Sequence, residues 1–202
     1  TQSRSSAASD VYKRQDYQKA KNAEHILTEQ IEKGRSELEY IDSVLDTVSR
    51  AESERELAQI REELTEQGYL RKQKGKQRPQ AALPPLEFTS SDGFKILVGR
   101  NNTQNDKLTL KIANKNDMWL HTKDIHGSHT VVFAEGREIS DTAILEAAQL
   151  AAYYSKARES SQVPVDYTLV RYVSKPSGAR PGMVIYVNNK TVYVTPKANI
   201  SE

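Results

Sequence analysis

An α+β domain preceded by an acidic helical arm is the architecture this sequence predicts. Three observations carry it. Apolar residues recur at spacings of four and three over residues 16–48, the mark of a helix with a narrow seam. Short β-branched runs separated by Gly, Pro, Asn and Asp fill residues 86–202, with one helical stretch among them. Charge changes sign between the two parts: residues 16–70 carry 7 Lys/Arg against 14 Asp/Glu, and residues 71–202 carry 19 against 12.

Residues 1–15 are small, polar and without periodicity. They are expected to be irregular and tag-like, and they stay outside the fold reasoning. In the first helix, Leu27, Ile31, Leu38, Ile41, Leu45 and Val48 form a heptad seam, with Gly34 in one seam position. So narrow a stripe makes no core alone, so it requires a partner helix and would also support a dimer through the exposed seam. Ser53 followed by Glu56 reads as a capping box for a second helix, with Leu57, Ile60 and Leu64 apolar and Gly68 at its end. Folding back, it would cover only part of the seam. Residues 71–85 are a basic linker: Arg71, Lys72, Lys74, Lys76 and Arg78 come without an acid among Gly and Pro. They are either a solvated spacer or a phosphate-contacting arm.

In the globular part, Phe94–Val98, Met118–Thr122, Thr130–Phe133 and Val165–Val173 read as strands. Leu108–Ala113 fits a short helix or a strand. A helix is expected from Ser140 or Asp141 to about Arg158, burying Ile144, Leu145, Ala148, Ala151 and Ala152. Lys175–Gly182 is a Pro/Gly loop, and Met183–Val187 with Thr191–Val194 reads as a hairpin across Asn188-Asn189-Lys190. About 115 residues suffice for one modest core.

Some classes fall away on composition. Without cysteine there are no disulfides or thiolate metal sites, which fits a reducing cytosol. No apolar run approaches the ~18 residues of a membrane span. No P-loop and no G-x-G-x-x-G is present, so nucleotide folds have no support. The opposed charges point the basic part toward nucleic acid or a membrane surface, unless they are only an ordinary charged surface.

The chemistry-bearing stretch is Trp119-Leu-His-Thr-Lys-Asp-Ile-His-Gly-Ser-His129, which holds three of the four histidines and the only tryptophan. Three readings compete. His121, His126 and His129 with Asp124 could bind a metal, but H-x4-H-x2-H is no standard zinc spacing. Ser128 or a histidine could be a nucleophile or base, but no G-x-S-x-G elbow accompanies it. The imidazoles, Lys123 and Ser128 could donate to phosphate while Trp119 or a histidine stacks on a base. For Trp119 and His121, a place in the sheet core is favoured over stacking. A second loop, residues 175–182, would present Lys175 and Arg180 on a stiff turn, either solvated or aimed at a phosphate backbone.

Four segments, in this order, resemble the NFACT RNA-binding domain: Gly99-Arg-Asn-Asn-Thr-Gln-Asn-Asp106, Asn116-Asp-Met-Trp-Leu-His-Thr-Lys-Asp124, Gly127-Ser-His129 and Lys175-Pro-Ser-Gly-Ala-Arg-Pro-Gly-Met-Val-Ile-Tyr186. That domain ends the bacterial RqcH group, also called fibronectin-binding-protein-A-like, and its eukaryotic and archaeal relatives. The acidic helices before it resemble the family's coiled-coil arm. One departure is His126, where the family commonly has Pro, and it weakens the metal reading.

The resemblance implies a ribosome quality-control role. Full-length members bind the large ribosomal subunit carrying a stalled peptidyl-tRNA and recruit alanyl-tRNA to extend the chain without a template. This stretch, lacking the family's N-terminal module, would bind and position rather than catalyse, without cofactor or metal, in the cytoplasm. RNA backbone would be met by Arg100, Lys107, Lys123, Lys175 and Arg180, with His121, Ser128 and His129 adding polar contacts. Arg71, Lys72, Lys74 and Lys76 of the linker would add phosphate contacts. Asp124 would orient a histidine. The rival reading is a fibronectin-binding adhesin, with a secondary presence at the cell surface.

Overall fold

The computed structural model describes residues 2–72 and 82–198, with side chains from residue 11 onward. Helix α1 runs Gln2–Arg50. It therefore takes in residues 2–15, expected to be irregular. That segment holds neither Gly nor Pro, and its Ala, Arg, Lys and Gln are good helix formers, so nothing local stops the helix.

The chain divides into two compact units, residues 1–39 and 40–202. In the first, Leu27, Ile31 and Leu38 of the seam are all more than half exposed. In the second, the end of α1 meets helix α2 (Glu54–Glu66), and of the seam only Ile41 packs there, partly buried. Leu45 and Val48 stay exposed, whereas Tyr40, Val44 and Thr47 are buried. Ile60 of α2 completes a small cluster with Tyr40 and Val44, and Tyr40 stacks on Tyr69 at 5.8 Å. Ser53 caps α2 as expected: its hydroxyl accepts from the Glu56 N–H, while the Glu56 carboxylate accepts from the Glu52 N–H at 2.8 Å.

Six strands form one antiparallel sheet in the order β1-β2-β4-β3-β5-β8: β1 (Leu86–Thr89), β2 (Lys95–Val98), β3 (Met118–Thr122), β4 (Thr130–Val132), β5 (Val163–Leu169) and β8 (Lys190–Val194). Strand β1 alternates, Leu86 and Phe88 half-buried and Glu87 and Thr89 exposed, but at four residues beside a Pro-rich linker it is an addition to the expected set. Between β2 and β3, α3 (Asn102–Lys107) runs into a wide π-turn, Leu108–Ile112, which resolves the helix-or-strand ambiguity there. Helix α4 (Asp141–Tyr153) stops short of Arg158.

The expected hairpin of residues 183–194 does not form. Strand β7 (Ile185–Tyr186) pairs instead with β6 (Val173–Ser174) in a separate small ribbon, and only β8 joins the main sheet. The Thr168 hydroxyl holds the carbonyls of Val187 and Asn188, which turns the chain from one sheet to the other.

Alternation along the strands splits the core in two. Ile96, Val98, Leu120, Val132, Val163, Val165 and Val194 pack on α4, whose small face of Ala143, Ala147, Ala148, Ala151 and Ala152 lets it lie close to the sheet. Leu97, Trp119 and Val131 face the other way and pack on Leu108, Val170 and Val173. One side of the sheet is thus covered by α4. The other is only partly covered, by α3, the π-turn and the β6–β7 ribbon. Among the described residues, no helix is long and apolar enough to cross a membrane.

Candidate RNA interface

The segment Gly99–Asp106 is a joint. The Asn101 side chain caps α3 by accepting the Gln104 N–H at 2.8 Å. From that short helix, successive side chains reach in different directions. Asn102 donates to Ser43 on α1 at 2.9 Å, and Thr103 donates both its N–H and its hydroxyl to the buried Glu63 of α2. Gln104 donates to the Leu83 carbonyl, and Asn105 accepts the His129 N–H. Gly99 must be glycine here, because a Cβ would sit 2.1 Å from Asn105 Oδ1.

Asp106 closes the loop at residues 175–182. One carboxylate oxygen accepts the Gly182 N–H at 3.0 Å and the other pairs with Lys175 Nζ, which also donates to the Arg180 carbonyl. Gly182 has φ +79°, and a Cβ would lie 2.6 Å from Asn102 Oδ1, so only glycine fits on both counts.

His129 is the other half of this clasp. Its Nε2 lies 3.2 Å from the Gly182 carbonyl, which can only accept, so Nε2 carries the proton and bare Nδ1 accepts the Thr109 hydroxyl at 2.8 Å. Burial, and the neighbouring His121, push its pKa down to about 3, so the ring is neutral at physiological pH. His121 is also held down, chiefly by burial. The His121 ring stacks on Trp119 at 5.8 Å, and the tilted Tyr186 ring lies 4.8 Å from Trp119. Both His129 nitrogens are thus occupied, and among the described residues no cluster of His, Asp and Glu is arranged to hold a metal ion.

The structure thus separates the expected site residues into two groups. Arg100 is paired with Glu56 and donates to the Pro84 carbonyl. Burial would raise the Glu56 pKa, but the Glu52 N–H and the Arg100 guanidinium prevail and hold it low. Ser128 is buried and accepts from Arg50, itself bidentate on Asp46. Arg180 donates to Gln67 and lies over the rings of Tyr69 and Tyr40. Lys175 turns inward to Asp106. These side chains, expected to be presented outward, instead bind the helices and the loop to the sheet domain. Lys107, Lys123, Arg71 and Lys72 do face solvent. Lys74 and Lys76 lie outside the described residues.

What sequence reasoning missed lies beside Lys107. The stretch 107–116 contains Lys107, Lys111 and Lys115 and no acid, and the stretch 167–198 contains five further cations and no acid. The structure brings the two together. Arg171 donates its backbone N–H and its Nε to the Lys115 carbonyl, at 3.3 and 3.2 Å. The acids that border these stretches are turned inward: Asp117 accepts the Asn114 and Ala134 N–H groups, and Asp166 accepts from the Tyr186 and Thr191 hydroxyls. Lys107, Lys111, Lys115 and Arg171 are all exposed, with Leu110, Ile112 and Tyr172 partly exposed among them. Among the described residues none of these four side chains is paired with a carboxylate, so they form a cationic strip. The missing acids are visible in the sequence and are the signal that could have found it.

Residues 1–82 match the family model described as NFACT N-terminal and middle domains, and residues 85–188 match that of the NFACT protein RNA binding domain. A Bacillus subtilis protein named Rqc2 homolog RqcH is 50% identical over 186 residues, and its Streptococcus suis counterpart is 45% identical over 181. These alignments cover 91% and 89% of this chain but 32% of each relative, so the chain spans about a third of their length. Among solved structures, the C-terminal part of the fibronectin/fibrinogen-binding protein from Streptococcus suis superposes with a TM-score of 0.85 at 43% identity, covering 91% of this chain and 74% of that one.

Proposed function

The chain belongs to the NFACT family, and from that premise we propose that it is the RNA-contacting part of a cytoplasmic ribosome quality-control factor. In this reading the whole protein binds large ribosomal subunits stalled with peptidyl-tRNA and recruits alanyl-tRNA for template-free C-terminal tailing. The part described here binds and positions. It supplies no bond-making group and needs no cofactor.

The observation that carries the reading is the cationic strip of Lys107, Lys111, Lys115 and Arg171. Cations without nearby carboxylates attract a polyanion, and the release of counterions from RNA makes such binding strong at low salt. Because lysine and arginine contacts to phosphate carry no base information, the strip would hold RNA by its backbone and leave sequence to other groups. The clasp residues give it rigidity by fixing the π-turn and the 175–182 loop to one sheet.

The test is co-sedimentation of the chain with purified large subunits, empty or carrying peptidyl-tRNA, and with alanyl-tRNA in competition. Binding to the loaded subunit that tRNA and added salt reduce supports the reading. Indifference to both would overturn it. The name of the Streptococcus suis neighbour supplies a second reading, fibronectin or fibrinogen binding at the cell surface. Retention on immobilised fibronectin at physiological salt, with no affinity for RNA, would favour that one instead.

A further inference from the structure

The side of the sheet away from α4 is open at its β8 edge. Strand β8 alternates: Val192 and Val194 pack toward α4, so Thr191 and Tyr193 stand on the other side. Thr191 is fixed there, its hydroxyl donating to Asp166 on β5 at 2.5 Å. Tyr193, directly opposite Pro164 of β5, is 67% exposed, more than any other large apolar side chain described in the sheet domain. The next position in that row is Lys123, whose N–H donates to the Pro164 carbonyl at 2.9 Å and whose side chain is solvated. One row along, His121, Asp166 and Thr191 are paired across β3, β5 and β8. The β6–β7 ribbon reaches only as far as the Tyr186 hydroxyl on Asp166, so it leaves Tyr193 uncovered.

We infer that Tyr193 is a stacking platform for an unpaired RNA base, with Lys123 placed for the phosphate of the same nucleotide. This rests on the RNA reading above and adds to it a contact to a base. Charge complementarity favours this occupant, since β8 and everything described after it carry no acid. An exposed aromatic on a flat sheet face gives any base a stacking surface. The exposed Asp124 beside Lys123 repels a bare phosphate but can accept amino and imino hydrogens from a base edge. The corner therefore suits a nucleotide with its base seated better than a duplex seen only as backbone. A base in a duplex is already stacked, so the ligand class is single-stranded or loop RNA.

The experiment titrates the full chain with a labelled twelve-nucleotide single-stranded RNA and with a blunt RNA duplex. The wild type is set beside Tyr193→Ala and Tyr193→Phe. Tyr193 is exposed, so thermal unfolding of all three should coincide. The expected result is roughly a tenfold loss of single-strand affinity in Tyr193→Ala, near-complete retention in Tyr193→Phe and no change for the duplex. Equal single-strand binding by wild type and Tyr193→Ala would overturn this inference and leave the RNA reading standing. No binding of either RNA by the wild type would remove both. Loss of large-subunit binding in Tyr193→Ala with unchanged oligonucleotide binding would reassign the tyrosine to a protein contact.

Discussion

The carboxylate of Asp106 reaches across 76 residues of chain to accept the Gly182 N–H at 3.0 Å. Its second oxygen pairs with Lys175, so one side chain fixes both ends of the 175–182 loop. Asp106→Asn keeps an acceptor for one of these partners and leaves the Lys175 charge, about a quarter exposed, without its counterion. A loss of ~1–3 kcal/mol is expected, read as a lower urea midpoint with an unchanged slope. A midpoint within error of wild type would show that the loop is held by other means.

Glu63 has the same role at the helices. Buried to 3% exposure, it accepts the Tyr40 hydroxyl on one oxygen and the Thr103 N–H and hydroxyl on the other. Glu63→Ala leaves three donors short of an acceptor and should cost ~3 kcal/mol or more, since each abandoned buried group costs ~1–3. Tyr40→Phe removes one of the bonds and should cost about 1 kcal/mol. Thermal unfolding of both variants checks the ranking, and a larger loss in Tyr40→Phe would contradict it.

His129 makes the fold sensitive to acid. Its folded pKa is depressed to about 3, below the ~6.5 of an unfolded histidine. Between those values the unfolded chain binds the extra proton, so the stabilisation is complete above about pH 6.5 and is lost as pH falls toward 3. His121 shifts the same way and adds to the loss. Within that window the His129 contribution should fall by up to ~1.4 kcal/mol per pH unit. In His129→Gln the slope should drop by about one proton. An unchanged slope would mean that the acid response comes from other groups.

Much of the fold is legible in the sequence, for reasons that differ by element. Strand β3 is where alternation places it, because Trp119 and Leu120 serve opposite cores. Helix α2 begins at its capping box because that signal is local. The pairing of β7 is not legible: the turn at Asn188-Asn189 is a local hairpin signal, but Thr168 on a distant strand takes the carbonyls and redirects the chain. The same limit governs the site. That Lys175, Arg180 and Arg100 are cations can be read directly. Their engagement cannot, since Lys175 meets Asp106 across 69 residues and Arg180 meets Gln67 across 113. The strip at Lys111, Lys115 and Arg171 was hidden for the converse reason: its signal is missing acids in two stretches that only the fold brings together.

The central claim is that this strip holds RNA by its phosphates. The most direct measurement is a titration of the full chain with tRNA across a salt series, beside the variant in which Lys107, Lys111, Lys115 and Arg171 are all Gln. All four side chains are exposed, and Arg171→Gln keeps the backbone N–H bond to the Lys115 carbonyl, so the variant should unfold close to the wild type. The account predicts a steep fall of log affinity with log salt in the wild type and a slope shallower by about three to four in the variant, close to one per lost phosphate contact. Equal slopes in the two proteins, or binding indifferent to salt, would contradict it.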